Sequence, residues 1–111
     1  MQILTELSKT IKERLNSDPQ ESYVASLHNK GLNKILEKIA EESTEVILAS
    51  KDAVENKNKE DHVTQEVADL WFHCMVLLVH LGIGPEDILE VLENRFGEGG
   101  LVEKAKRTSS E

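Results

Sequence analysis

Two short acidic groups mark the middle of the chain, Glu41-Glu42-Ser43-Thr44-Glu45 and Glu66-Val67-Ala68-Asp69. On a helix, residues three or four apart share a face. Glu42 and Glu45 then point one way, with Glu41 a turn below Glu45, and Glu66 and Asp69 form a second pair. The stretch between them, Asn56-Lys57-Asn58-Lys59-Glu60-Asp61, is polar and suited to reversing the chain. Two antiparallel helices joined there bring four or five carboxylates together. Such a cluster repels itself unless a cation sits in it. Oxygen ligands alone suit a hard divalent ion, Mg²⁺ or Mn²⁺. The competing metal site of helical bundles, the di-iron carboxylate centre, uses Glu-x-x-His steps, and the sequence has none. His62 and His73 flank the second pair in the pattern His62-x3-Glu66-x2-Asp69-x3-His73. A histidine such as His73 on an apolar helix is more often a hydrogen-bonded core residue than a ligand.

No nucleophile elbow, Walker loop or Cys/His zinc spacing appears. The chemistry available is metal-assisted. A hard divalent ion bridges phosphate oxygens and offsets developing charge, while a spare carboxylate orients or deprotonates water. Phosphoanhydride hydrolysis fits this equipment better than redox or acyl-transfer chemistry.

Helices must position these groups. The chain has 111 residues, two prolines and six glycines, which leaves long uninterrupted segments. Leu4, Leu7, Ile11 and Leu15 recur at helical spacing until Asn16-Ser17-Asp18-Pro19 stops the helix. A short helix over Ser22 to Asn29 carries Tyr23, Val24 and Leu27, and Lys30-Gly31 breaks it. From Leu32 to about Val54, Ile35, Leu36, Ile39, Val46, Ile47 and Val54 supply an apolar stripe. On the same helix Lys34, Lys38, Glu42 and Glu45 form a polar stripe. Taken alone, that stripe is a solvated face with lysine–glutamate pairs; the second carboxylate pair is what points to a site.

The helix from about Asp61 to Leu81 is the most apolar, and its second half, from Leu70, is apolar nearly all round. A chain this small does not cover such a helix by itself, so dimerisation is expected to complete the bundle. Gly82 suits the position just past a helix end. Gly84-Pro85-Glu86-Asp87 opens a last helix, which carries Ile88, Leu89, Val91, Leu92 and Phe96. The expectation is an all-α fold, a small bundle of four to five helices, as one domain over 1–111 with a tail over 101–111.

Charge and cysteine usage exclude several classes. The net charge of −8 argues against a nucleic-acid face, which needs a basic stripe. Cys74 is the only cysteine, so no intrachain disulfide forms and a reducing compartment is expected. No signal-peptide core or membrane-spanning run is present. A cytoplasmic protein without a nucleic-acid or membrane partner is expected. An anionic substrate then needs local cations. Lys34 and Lys38 stand one and two turns before the Glu42–Glu45 pair on its face. Arg95, one turn after Leu92, is a further candidate, with helix capping as its alternative role.

The pattern Glu42-x-x-Glu45 with Glu66-x-x-Asp69 resembles that of the all-α nucleoside triphosphate pyrophosphohydrolase superfamily. Further segments fall in order along the chain: Ser22 to Leu27, Gly31, Lys34-Ile35, Lys38 to Glu42, Ala68 to His73, and Glu103-Lys104-Ala105-Lys106-Arg107. Together they resemble the phosphoribosyl-ATP pyrophosphohydrolase family over nearly the whole length. The resemblance implies Mg²⁺-dependent hydrolysis of phosphoribosyl-ATP to phosphoribosyl-AMP and pyrophosphate, the second step of histidine biosynthesis. It also implies a helical homodimer, with Lys104 and Arg107 meeting substrate phosphate beyond a glycine-rich loop that folds over the site. Two positions depart from the family pattern. Gly99 stands where a serine is usual, and Lys106 replaces the serine of Lys-Ala-Ser-Arg, so each change removes a small hydroxyl.

Two other readings compete. One stays within the superfamily, a house-cleaning pyrophosphohydrolase acting on dUTP, dCTP or damaged nucleotides. The other is a non-catalytic helical interaction module whose acidic faces are only solvated.

Overall fold

The computed structural model describes residues 2–97. Five α-helices follow in order: α1 (Gln2–Arg14), α2 (Tyr23–Lys30), α3 (Leu32–Glu55), α4 (Glu60–Leu81) and α5 (Pro85–Phe96). A single 3₁₀ turn, Lys57–Lys59, joins α3 to α4, and no strand occurs among the described residues. The expected all-α bundle forms. No single described helix is long and apolar enough to cross a membrane.

Local chemistry sets the boundaries. Ser22 lies outside its helix rather than in it: its backbone is extended and its hydroxyl accepts the Ala25 N–H at 3.2 Å, so α2 begins at Tyr23. Gly31 separates α2 from α3 by itself, at φ 97° and ψ −177°, a conformation that essentially only glycine adopts. Asn56 caps the 3₁₀ turn by accepting the Asn58 N–H at 3.0 Å, which gives the polar stretch its reversal. At the end of α4, Gly82 is left-handed (φ 76°). The Ile83 N–H bonds to the Leu78 carbonyl at 2.8 Å, and the Gly82 N–H to that of Val79 at 3.1 Å. These are the two bonds of a Schellman motif.

The α3–α4 hairpin is the spine, and α1 and α2 pack on it. Ile11 of α1, Val24 and Leu27 of α2, Ile35 of α3, and Met75, Val76 and Val79 of α4 form the buried core. A fully buried aliphatic side chain such as Ile35 or Val76 contributes about 1.5–3 kcal/mol.

Away from this core the apolar stripe of α3 is not covered. Ile47 is 61% exposed and Val54 84%, and the small Ala49 is the buried residue in that half of the helix. The second half of α4 is covered on the side facing α1 and α3, while Trp71 and Leu81 remain about half exposed. Between α4 and α5 runs an apolar groove of about 240 Å³, lined by Leu4, Trp71, Leu78, Pro85 and Leu92 among others.

Candidate active site

Steps of seven residues hold nearly one helix face, drifting about 20° each. On α3 this places Glu42 in line with the buried Ile35 and Ala49. On α4 it places Glu66 in line with the buried His73, and Asp69 in line with the buried Val76. The carboxylates therefore stand on the faces by which the two helices meet. The Glu42 and Glu66 side chains keep only 14% exposure, and Asp69 lies at the exposed rim. One carboxylate oxygen of each of the three falls within 4.8 Å of the others.

Among the described residues little balances that charge. Lys38 Nζ is 2.9 Å from Glu41 Oε2 and 3.9 Å from Glu42 Oε1, and His62 Nε2 is 3.5 Å from Glu66 Oε1. The hydrogen bond from Lys38 holds the Glu41 carboxyl below its ordinary value, and Glu41 in turn raises the Lys38 ammonium. The three converging donors are all carboxylate oxygens, which fits a hard divalent cation.

The predicted residues divide. Glu42, Glu66 and Asp69 converge. Glu45 is exposed and outside the group of three: the row on which α3 meets α4 runs through Ile35, Glu42 and Ala49, and Glu45 lies beside that row, toward solvent. Glu41 is engaged with Lys38, and Lys34 pairs with Glu37 at 3.3 Å rather than with the cluster. Arg95 is exposed on α5, and no hydrogen bond or ion pair joins it to the cluster. Lys104 and Arg107, with Gly99 and Lys106, lie outside the described residues.

His73 is the buried, hydrogen-bonded histidine expected of an apolar helix, and what the sequence did not show is its partner, Tyr23. His73 Nδ1 lies 2.7 Å from the Asp69 carbonyl oxygen. That oxygen only accepts, so Nδ1 carries a proton, and Nε2 accepts from the Tyr23 hydroxyl at 2.8 Å. The Tyr23 ring also stacks on Phe72, centroids 6.3 Å apart. Burial raises the Tyr23 phenol, against the pull of Lys38 and with the push of Glu42, Glu41 and Asp69, which keeps it a donor at neutral pH. Tyr23 and His73 are far apart in sequence, and spacing gives no sign of the pair. The signals were the Ser22–Leu27 and Ala68–His73 segments of the family resemblance, which carry its two members. A histidine pair, His28 Nδ1 to His80 Nδ1 at 2.9 Å, ties the C-terminal ends of α2 and α4.

Residues 4–96 match the phosphoribosyl-ATP pyrophosphohydrolase family. The chain belongs to that family. A phosphoribosyl-ATP pyrophosphatase of Hydrogenovibrio crunogenus (strain DSM 25203 / XCL-2) is 48% identical over 109 residues, covering 98% of this chain and 96% of the relative. Among the described residues, the segments by which the sequence resembles the phosphoribosyl-ATP pyrophosphohydrolases fall on α2, α3 and α4 and at their N-terminal boundaries, Ser22 and Gly31. There they supply Tyr23, Lys38 with Glu42, and Asp69 with His73, the residues gathered around the cluster.

Proposed function

We propose that this protein hydrolyses phosphoribosyl-ATP at the α–β phosphoanhydride, giving phosphoribosyl-AMP and pyrophosphate, the second step of histidine biosynthesis. The observation that carries the reading is the group of Glu42, Glu66 and Asp69 within 4.8 Å of one another in a member of this family. These three would hold Mg²⁺, for which Mn²⁺ is a chemical substitute, with Glu45 and Glu41 extending the donor set along α3. The ion, when bound, supplies positive charge at the phosphate oxygens.

The remaining work falls to side chains. Lys38, next to Glu42, orients a phosphate oxygen from the α3 side, and Lys34 adds charge a turn earlier. A carboxylate of the acidic group that the metal does not fully use orients a water molecule and takes its proton. The water oxygen bonds to phosphorus as the bridging P–O bond breaks, pyrophosphate departs, and the proton passes on to solvent. Lys104 and Arg107 contact substrate phosphate, so the chain works as one domain over its whole length. Arg95 is a further phosphate contact. A cytoplasmic homodimer is the working form, with part of α4 and its exposed Trp71 and Leu81 at the interface.

Pyrophosphate release from phosphoribosyl-ATP, set against dUTP, dCTP and ATP with and without Mg²⁺, tests the reading. Turnover of phosphoribosyl-ATP alone and only with the metal is expected. Preference for a canonical nucleotide would move the protein to a house-cleaning role.

A further inference from the structure

Phosphoribosyl-ATP is anionic at both ends, with a triphosphate at one and a ribose 5-phosphate at the other. The reading above, on which this inference rests, provides for the first end. We propose that the cavity between α1 and the start of α2 is the subsite for the second end, with Arg14 holding the ribose phosphate.

The cavity measures about 510 Å³, within the range of small-molecule sites. Its walls include Arg14, Ser17, Glu21, Ser22, Tyr23 and Phe72. Tyr23 and Phe72 connect it to the metal-binding face. The Tyr23 hydroxyl is committed to His73, one helical turn from Asp69, and the Tyr23 ring lies on Phe72. The half-exposed ring is thus fixed as a partition between cavity and carboxylates. A purine joining the two anionic ends would lie against it, where aromatic stacking is favourable.

Charge separates this cavity from its rivals. Arg14 has no carboxylate within 4.0 Å among the described residues, and Lys34 and Lys38 serve the other end of the substrate. A guanidinium presents a planar fork that matches phosphate. Ser22 accepts the Ala25 N–H through its hydroxyl oxygen, which leaves the hydroxyl proton for a phosphate oxygen. Glu21 offers acceptors to ribose hydroxyls. The groove beside Trp71 is lined by apolar residues throughout and cannot replace the hydration of a phosphate. The cavity by Lys59 and His62 holds two carboxylates, Asp52 and Asp61, against the single Glu21 of the cavity beside Arg14, and so opposes an anion more strongly.

The test uses the full chain with Mg²⁺. Arg14→Ala is expected to raise KM for phosphoribosyl-ATP about tenfold or more, Arg14→Glu further, and Arg14→Lys is expected to restore part of the loss. ATP has the triphosphate and base but no second phosphate, so its inhibition constant should stay within about twofold in all three. Ribose 5-phosphate, titrated against the wild-type protein, should shift the amide resonances of Ser17, Ser22 and Tyr23, and Arg14→Glu should abolish those shifts. An unchanged KM in Arg14→Glu overturns the proposal, as does a parallel rise in the ATP inhibition constant, or the absence of ribose 5-phosphate shifts at millimolar concentration. Failure of the catalytic reading looks different: the wild-type protein would release no pyrophosphate, while the ribose 5-phosphate titration would still report on the cavity.

Discussion

The first half of α4, up to Asp69, and its second half, from Leu70, pack on the same partner, α3, yet present opposite surfaces to it. In the second half the meeting positions are His73 and Val76, opposed to Ile35 and joined by Met75 and Val79 in the core. In the first half equivalent positions are Glu66 and Asp69, opposed to Glu42. A two-helix seam normally takes apolar residues at these places because each contributes burial free energy. Carboxylates there forgo that gain and repel one another. The core half holds the geometry, and the acidic half uses it to keep three like charges within reach of one cation.

Truncating the core half should give the largest effect. Ile35→Ala is expected to cost about 2–5 kcal/mol of stability, read from chemical denaturation, while turnover per folded molecule stays measurable at low temperature. In the acidic half Glu66→Gln should leave the thermal midpoint nearly unchanged and cut Mg²⁺-dependent turnover by about 100-fold or more. Full activity at ordinary Mg²⁺ would refute its role. Glu42→Leu puts the seam's usual residue type back. Without metal, this variant should be more stable than the wild type by about 0.5–2 kcal/mol and inactive. A loss of stability would mean that the cluster is not strained by its own charge.

Smaller effects probe the junction of the halves. Tyr23→Phe leaves His73 Nε2 without its donor and should lower stability by about 1 kcal/mol, seen as a lower thermal midpoint. The smallest concerns Lys38 and Glu41. The Glu41 carboxyl is held below its ordinary value by the Lys38 hydrogen bond. Its contribution is therefore complete above the unfolded glutamate value, about pH 4.3, and disappears as pH falls through the lower folded value. Lys38, raised by Glu41, keeps the pair intact until pH rises through its elevated folded value. The difference in thermal midpoint between wild type and Glu41→Gln should be flat from about pH 5 to 9 and should vanish toward pH 3.

Several features were legible in the sequence because their causes are local. Pro19, Gly31, Gly82 and Pro85 punctuate the chain through their own backbone preferences, and each helix was found within a residue or two of its bounds. The two acidic pairs could be read because helical spacing alone puts each pair on one face. Other features depended on which faces meet. Glu42 joins Glu66 and Asp69 while Glu45 does not, since the hairpin's meeting face follows Ile35 and Ala49 and excludes the neighbouring row. Ile47 and Val54 belong to an apolar stripe by pattern yet stay exposed, because α2 packs on the other end of α3. The Tyr23–His73–Asp69 contact and the cavity beside Arg14 arise from the docking of α2 and α1 on α4. Periodicity fixes directions around one helix axis, and only packing fixes how separate axes are turned toward each other.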